Sequence, residues 1–133
     1  MLSLPRLRRF LKTLPFNNLV GLRATAVGTD GVTLECPVRP ELLNAHRGLH
    51  GGVYGTIADA AVGMSIFCHF DGKRLATTVE MKVNYFAPIQ KGKIVAVARL
   101  RRVGTSLAVG QVDLTDGAGK LAGIAVVTYK LLD

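Results

Sequence analysis

The stretch NAHRGLHGGVYGTIADAAVG, Asn44 to Gly63, sets a polar loop and a histidine before a glycine pair, then places one carboxylate, Asp59, among small and apolar residues. If a helix begins near His50 to Gly52, its first backbone N–H groups have no intrahelical partner and stand at the positive end of the helix dipole. Gly51 and Gly52 have no side chain to keep a ligand's oxygen away from that backbone. Such a helix entry is suited to binding a developing oxyanion. A bare Gly-Gly before a helix is by itself only a flexible turn, so the weight falls on the helix beyond it.

Asp59 would lie about two turns further along, with Gly55 at i−4, Val62 at i+3 and Gly63 at i+4 on its side of the helix. A helical glycine costs about 1 kcal/mol relative to alanine, so two of them beside a carboxylate point to a close approach, by a second chain or by a substrate. The segment reads as buried on nearly all sides, and a buried carboxylate needs a partner or a chemical role. A base or nucleophile facing an oxyanion site is what acyl transfer to water requires. No G-x-S-x-G elbow and no HExxH occurs, so serine-hydrolase and zinc readings have no motif to rest on.

The remaining reactive residues read as structural. His46 is expected to hydrogen-bond within a loop, His69 to end the helix, and Cys68 to be a small core residue with no cation at recognisable spacing. By strand alternation Glu80 shares a face with Thr78, where it either lines the site or, the favoured reading, pairs with a cation across the sheet.

The elements that must position these groups are set by periodicity. Leu4, Leu7, Leu11 and Leu14 mark a short amphipathic helix from about Ser3 to Leu14, packed on the domain. After Pro15, LVGLRATAVG and VTLECPVR read as two strands joined by a TDG hairpin turn. The run from about Gly51 to Phe70 is too long for one strand and reads as a mostly buried helix. Beyond it lie four more strands, LATTVEMKVNYFA, KIVAVARLRRVG, SLAVGQVDLTD and LAGIAVVTYKLL, whose short connections predict antiparallel neighbours. The fold class is thus α+β, an antiparallel six-stranded sheet wrapped around one long central helix, with residues 1–17 an N-terminal helical segment and 18–133 the main domain. The sheet's edges would be managed by oligomerisation.

Composition bounds the rest. A chain of 133 residues with 49% hydrophobic content can bury a real core. Its net charge of +8 suits a nucleic acid, a membrane surface or a phosphorylated small ligand, and charge alone does not choose among them. The basic residues lack the aromatic interleaving of a single-strand platform and any helix-turn-helix, which disfavours nucleic acid. Val53 to Cys68, the longest apolar run, is shorter than the roughly 20 residues a bilayer needs, so no membrane span is expected. The arginine-studded opening does not read as a secretory signal and the two cysteines show no metal spacing, which predicts a cytoplasmic location.

Across nearly its whole length the chain resembles the hotdog-fold acyl-CoA thioesterases of the phenylacetyl-CoA thioesterase (PaaI-like) family. The resemblance rests on Asn44, Gly48, HGGVYGTIADAA, TTVEMKVNYFAP, KGKIVAVARLRRVGTSLAV and VDLTDGAGKLAG. It implies two subunits joined edge to edge as a homodimer, often doubled to a homotetramer, with active sites at the subunit interface. It also implies that the Gly51 N–H binds the thioester carbonyl, that His50 and Asn44 shape that side, and that Asp59 of the facing subunit attacks or activates water. Thr78 would help hold the water. Arg102 and the turn Gly104, Thr105, Ser106 would bind the nucleotide end of coenzyme A, with Arg101, Lys91, Lys93 or Arg74 assisting. Coenzyme A would be part of the substrate, with no cofactor or metal required. Val53, Tyr54, Ile57 and Met81 are candidate walls for an aryl or medium-chain acyl group. The alternative is a hotdog protein that binds acyl-CoA without turning it over.

Overall fold

In the computed structural model, which describes residues 2–133, helices α1 (Leu4–Leu11) and α2 (Pro15–Val20) precede a hairpin of β1 (Arg23–Val27) and β2 (Val32–Pro37). A 3-10 turn at Pro40–Leu42 and a loop lead into α3 (Gly51–His69). Then come β3 (Ala76–Tyr85), β4 (Lys93–Val103), β5 (Leu107–Asp116) and β6 (Leu121–Leu131). The six strands form one sheet in the order β1-β2-β4-β5-β6-β3, with every neighbouring pair antiparallel.

The concave face of the sheet wraps α3. Buried side chains ring the helix, including Val53, Ile57, Ala58, Ala61, Val62 and Ile66, and meet Leu34, Ile94, Ala96, Val112, Leu114 and Val127 from the sheet. Such a helix carries little amphipathic asymmetry, because nearly all its sides are covered. Small residues set how closely it seats: a Cβ on Gly110 of β5 would lie 2.8 Å from the Val62 methyls. Among the described residues α3 is the one helix long and apolar enough to cross a bilayer, and 61% of its apolar window is buried inside the domain. This is the layout expected from periodicity and from the hotdog resemblance.

Three local expectations are corrected. Leu19 and Val20, expected in the first strand, belong to α2, which starts at Pro15 and stops where Gly21 adopts a left-handed φ of +96°. The predicted first helix stops at Leu11 accordingly. Second, β3 and β4 are not neighbours. The linker after Tyr85 crosses the end of the sheet, held by the Phe86 N–H on the Ala122 carbonyl (2.9 Å), the Leu49 N–H on the Ile89 carbonyl (2.7 Å) and the buried Ile89 side chain. It carries the chain away from β3, which remains at the far edge against β6.

The third correction concerns the faces of β3. Thr78 pairs with Tyr129 and Glu80 with Thr128, so Val79 is an extra residue in a bulge and the alternation slips there. Thr78, Met81 and Tyr85 therefore face α3, and Glu80 is turned to the other side, away from Thr78. No ion pair to Glu80 occurs among the described residues.

Candidate active site

The entry to α3 is built by short-range hydrogen bonds. The Asn44 side-chain oxygen accepts from the His46 N–H (2.9 Å) and the Gly48 N–H (3.1 Å), while the Asn44 N–H donates to the Gly48 carbonyl (2.8 Å). This closes a tight loop with Arg47 at a left-handed φ of 62°. His50 then caps the helix: its Nδ1 accepts the Gly52 N–H at 2.8 Å. The Gly51 N–H, beside that cap, donates to no group among the described residues.

Gly51 opens onto a surface cleft shared with Asn44, Leu49, Tyr54, Tyr85 and Phe86. The Tyr85 hydroxyl donates to the Gly51 carbonyl at 2.8 Å, and its ring lies 3.3 Å from where a Gly51 Cβ would stand. Any side chain at position 51 would press on this ring, so the glycine serves the local packing as well as access to its N–H. The structure thus gathers Asn44, His50 and Gly51 at one end of α3.

Asp59 is held at a second place. The Thr78 hydroxyl donates to Asp59 Oδ1 at 2.7 Å, and the Tyr129 hydroxyl lies 2.7 Å from the same oxygen and 2.7 Å from the Asp59 carbonyl. Burial, with the neighbouring Asp59 carboxylate, pushes the Tyr129 phenol well above its ordinary range, so it stays a proton donor at any neutral pH. Tyr129 is not legible in the sequence as a site residue, since it stands on β6 with no spacing relation to Asp59. Its signal is Gly63: a Cβ there would lie 2.6 Å from the Tyr129 oxygen. Gly55 likewise leaves room for the Met81 methyl, 3.3 Å from its would-be Cβ. The close approach inferred beside Asp59 is therefore made by side chains of the same chain.

Asp59 lines a cleft of about 320 Å³ with Thr56, Met64, Phe67, Arg74 and Phe16. Gly51 and Asp59 are eight residues apart on α3, roughly 12 Å at 1.5 Å per residue, and open into different clefts. A single thioester carbonyl does not reach both within one subunit.

The residues expected at the nucleotide end form the β4–β5 turn. The Gly104 N–H donates to the Leu107 carbonyl (2.8 Å), the Ser106 carbonyl accepts from Leu131 (2.8 Å), and the Thr105 carbonyl accepts from the Arg74 guanidinium (3.2 Å). Arg102 lies along Gly104, its Nε 3.7 Å from the glycine's would-be Cβ. Arg74 thus links this turn to the rim of the Asp59 cleft. Arg101 is the extra residue of a bulge between Leu100 and Arg102, and Lys93 is taken by Glu35 at 2.9 Å. Of the expected acyl walls, Val53 and Ile57 face the core, Tyr54 lines the Gly51 cleft, and Met81 is exposed on β3 with its methyl beside Gly55.

Cys36 and Cys68 are free and buried, and burial pushes the Cys68 thiol up to about 11, which suits packing rather than nucleophilic attack. His69 ends α3 with its ring edge-on to Phe70. Among the described residues no cluster of three His, Cys, Asp or Glu side chains is placed to hold a metal.

Comparison with known proteins bears on this geometry. Residues 46–122, from the entry loop into β6, match the model of the Thioesterase superfamily. Acyl-coenzyme A thioesterase 13 of Mus musculus is 31% identical over 103 residues, spanning 74% of this chain and 73% of its own. A thioesterase of Haemophilus influenzae superposes with a TM-score of 0.91 at 20% identity, covering 100% of this chain and 92% of its own. A mutant of the phenylacetic acid degradation protein PaaI of Thermus thermophilus gives a TM-score of 0.80 at 23% identity, over 90% of this chain and 100% of its own. At those identities the two solved structures speak for the fold.

Proposed function

Because the chain belongs to the Thioesterase superfamily, we propose that it hydrolyses the thioester of an aryl- or medium-chain acyl-CoA at a site shared between two copies of itself. Gly51 of one subunit donates its N–H to the thioester oxygen as charge develops on it, where one such donor typically accelerates acyl transfer about 10²–10³-fold. Asp59 of the other subunit supplies the base that activates water, or the nucleophile itself, on the opposite side of the carbonyl. His50 and Asn44 hold the Gly51 backbone in place, and Thr78 orients Asp59. Arg102, Gly104, Thr105 and Ser106, with Arg74, take the phosphate-bearing end of coenzyme A.

The observation that carries this reading is the separation of the two half-sites. Each is complete on its own terms, an unpartnered N–H at Gly51 and an oriented carboxylate at Asp59, yet they face different clefts. The edges of the sheet support docking of a second copy at β3. β1 is short and covered by α1, with the Arg8 guanidinium on the Ala24 carbonyl at 2.9 Å. β3 spans ten residues, has β6 on one side only, and exposes Val79, Met81 and Tyr85. A long, bare, partly apolar edge is a template for pairing with another strand. Antiparallel pairing of two such edges makes one continuous sheet with two composite sites, as a dimer or a dimer of dimers.

The test mixes two inactive proteins. Asp59→Asn and Gly51→Val chains, combined under conditions of subunit exchange, form mixed dimers in which one site carries both lesions and the other carries neither. Activity on an acyl-CoA panel, read as released thiol, should recover to roughly a quarter of wild type for independent sites. No recovery with exchange confirmed by mass spectrometry rejects the shared site. No turnover of any acyl-CoA by the wild type leaves a protein that binds acyl-CoA without hydrolysing it.

A further inference from the structure

From the hydrogen bonds around Asp59 we infer that Tyr129 is a positioning residue for the carboxylate: with Thr78 it pins Oδ1 and leaves Oδ2 as the oxygen that reacts. The inference rests on the reading that Asp59 performs the chemistry. Two hydroxyl oxygens from different strands, Thr78 on β3 and Tyr129 on β6, stand 2.7 Å from the same Oδ1. Among the described residues Oδ2 accepts no hydrogen bond.

An asymmetry of this kind acts mechanically. A carboxylate on a helix turns about its side-chain bonds, and its two oxygens exchange places unless one is fixed. The Thr78 hydroxyl donates to Oδ1, and the single Tyr129 proton, shared between Oδ1 and the Asp59 main-chain carbonyl, ties that same oxygen to the helix backbone; together they resist the rotation. Oδ2 is thereby left without a protein partner on a residue that lines the cleft, free to meet a water or a thioester carbon. Fixing the reacting atom in a productive direction is an established source of rate acceleration.

The surroundings are built for Tyr129 to do this. Its hydroxyl also lies 2.7 Å from the Asp59 main-chain carbonyl, so the ring is located against the helix backbone as well as against the side chain. Position 63 lacks a Cβ that would lie 2.6 Å from that hydroxyl. On β3, the bulge at Val79 keeps Thr78 opposite Tyr129, so the two donors arrive on one face at one atom. Other charged or titratable groups reach Asp59's cleft only through Arg74 among the described residues that line it.

The experiment compares kcat and KM for wild type, Tyr129→Phe, Asp59→Asn and the double variant, on an acyl-CoA that the wild type hydrolyses. Loss of one hydrogen bond to a charged group predicts that Tyr129→Phe lowers kcat about ten- to a hundredfold while KM stays within about twofold. In the Asp59→Asn background the same change should cost less than about twofold, because the hydroxyl acts through the carboxylate. Gly63→Ala, which displaces the hydroxyl without deleting it, should reproduce the kcat loss and provides the answer if Tyr129→Phe does not fold. A Tyr129→Phe enzyme with wild-type kcat overturns the inference, as does a loss of equal size with and without the carboxylate. Full activity of Asp59→Asn overturns instead the reading on which the inference rests.

Discussion

Thr78 on the edge strand donates to Asp59 on the central helix at 2.7 Å, across the seam where the sheet closes over α3. Thr78→Val keeps the shape of the side chain and removes the donor, leaving Asp59 with Tyr129 alone. We expect kcat to fall about tenfold or more, while Thr78→Ser, which retains a hydroxyl, stays within a few-fold of wild type. Steady-state kinetics on one acyl-CoA decide it, and equal activity of all three proteins would remove Thr78 from the site.

Gly51 and Gly110 separate access from packing. Gly51→Val sets a side chain against the Tyr85 ring at the helix entry and should depress turnover by two orders of magnitude or more, the size associated with losing an oxyanion donor. Gly110→Ala, on β5 away from either half-site, puts a methyl 2.8 Å from the Val62 methyls. It should cost about 1–3 kcal/mol of stability through overpacking and leave kcat per folded molecule unchanged. Denaturant titration beside kinetics separates the two effects.

Val79 sits in the bulge of β3, 56% exposed on an edge that no strand of the same chain covers. Val79→Asp places a charge where a second copy would pair, and should shift the protein from dimer toward monomer by light scattering, with turnover lost in parallel. A monomeric variant with full activity would show that one chain holds a whole site.

Stability should fall on the alkaline side. Burial raises Cys36, Cys68, Tyr54 and Tyr129 above their ordinary values, Cys68 from 9.0 to about 11. The folded chain therefore holds these protons more tightly than the unfolded one. Their contribution is complete below the unfolded pKa values and is lost as pH rises from about 9 through the folded values. Denaturant midpoints measured from pH 7 to 10.5 should be level at first and then decline. Cys68→Ala should soften the decline between pH 9 and 10.5, and an unchanged slope would count against the raised thiol.

Much of this molecule is set by local pattern. The small-residue helix from Gly51, the strands and the TDG hairpin are consequences of nearest-neighbour chemistry, and periodicity places each of them, the start of β1 and the alternation of β3 apart. The entry motif is equally local: the Asn44 side chain accepts from the N–H groups of His46 and Gly48, and His50 Nδ1 from that of Gly52, all within four residues. The glycines beside Asp59 announce that something comes close.

What comes close is decided only by the tertiary fold. Tyr129 is separated from Asp59 by 70 residues, and it arrives because β6 pairs with β3 rather than because of any spacing between the two. The bulge at Val79 turns Glu80 away from Thr78, since one extra residue in a strand reverses every side chain after it. The crossing of the β3–β4 linker leaves β3 as a bare edge, although its short length suggests a hairpin. Periodicity reports which face of an element seeks burial, because that depends on neighbours three or four residues away. Which strand lies beside which, and where a bulge absorbs a mismatch, depends on closing one sheet around one helix, an energy shared by the whole chain and written in no single segment of it.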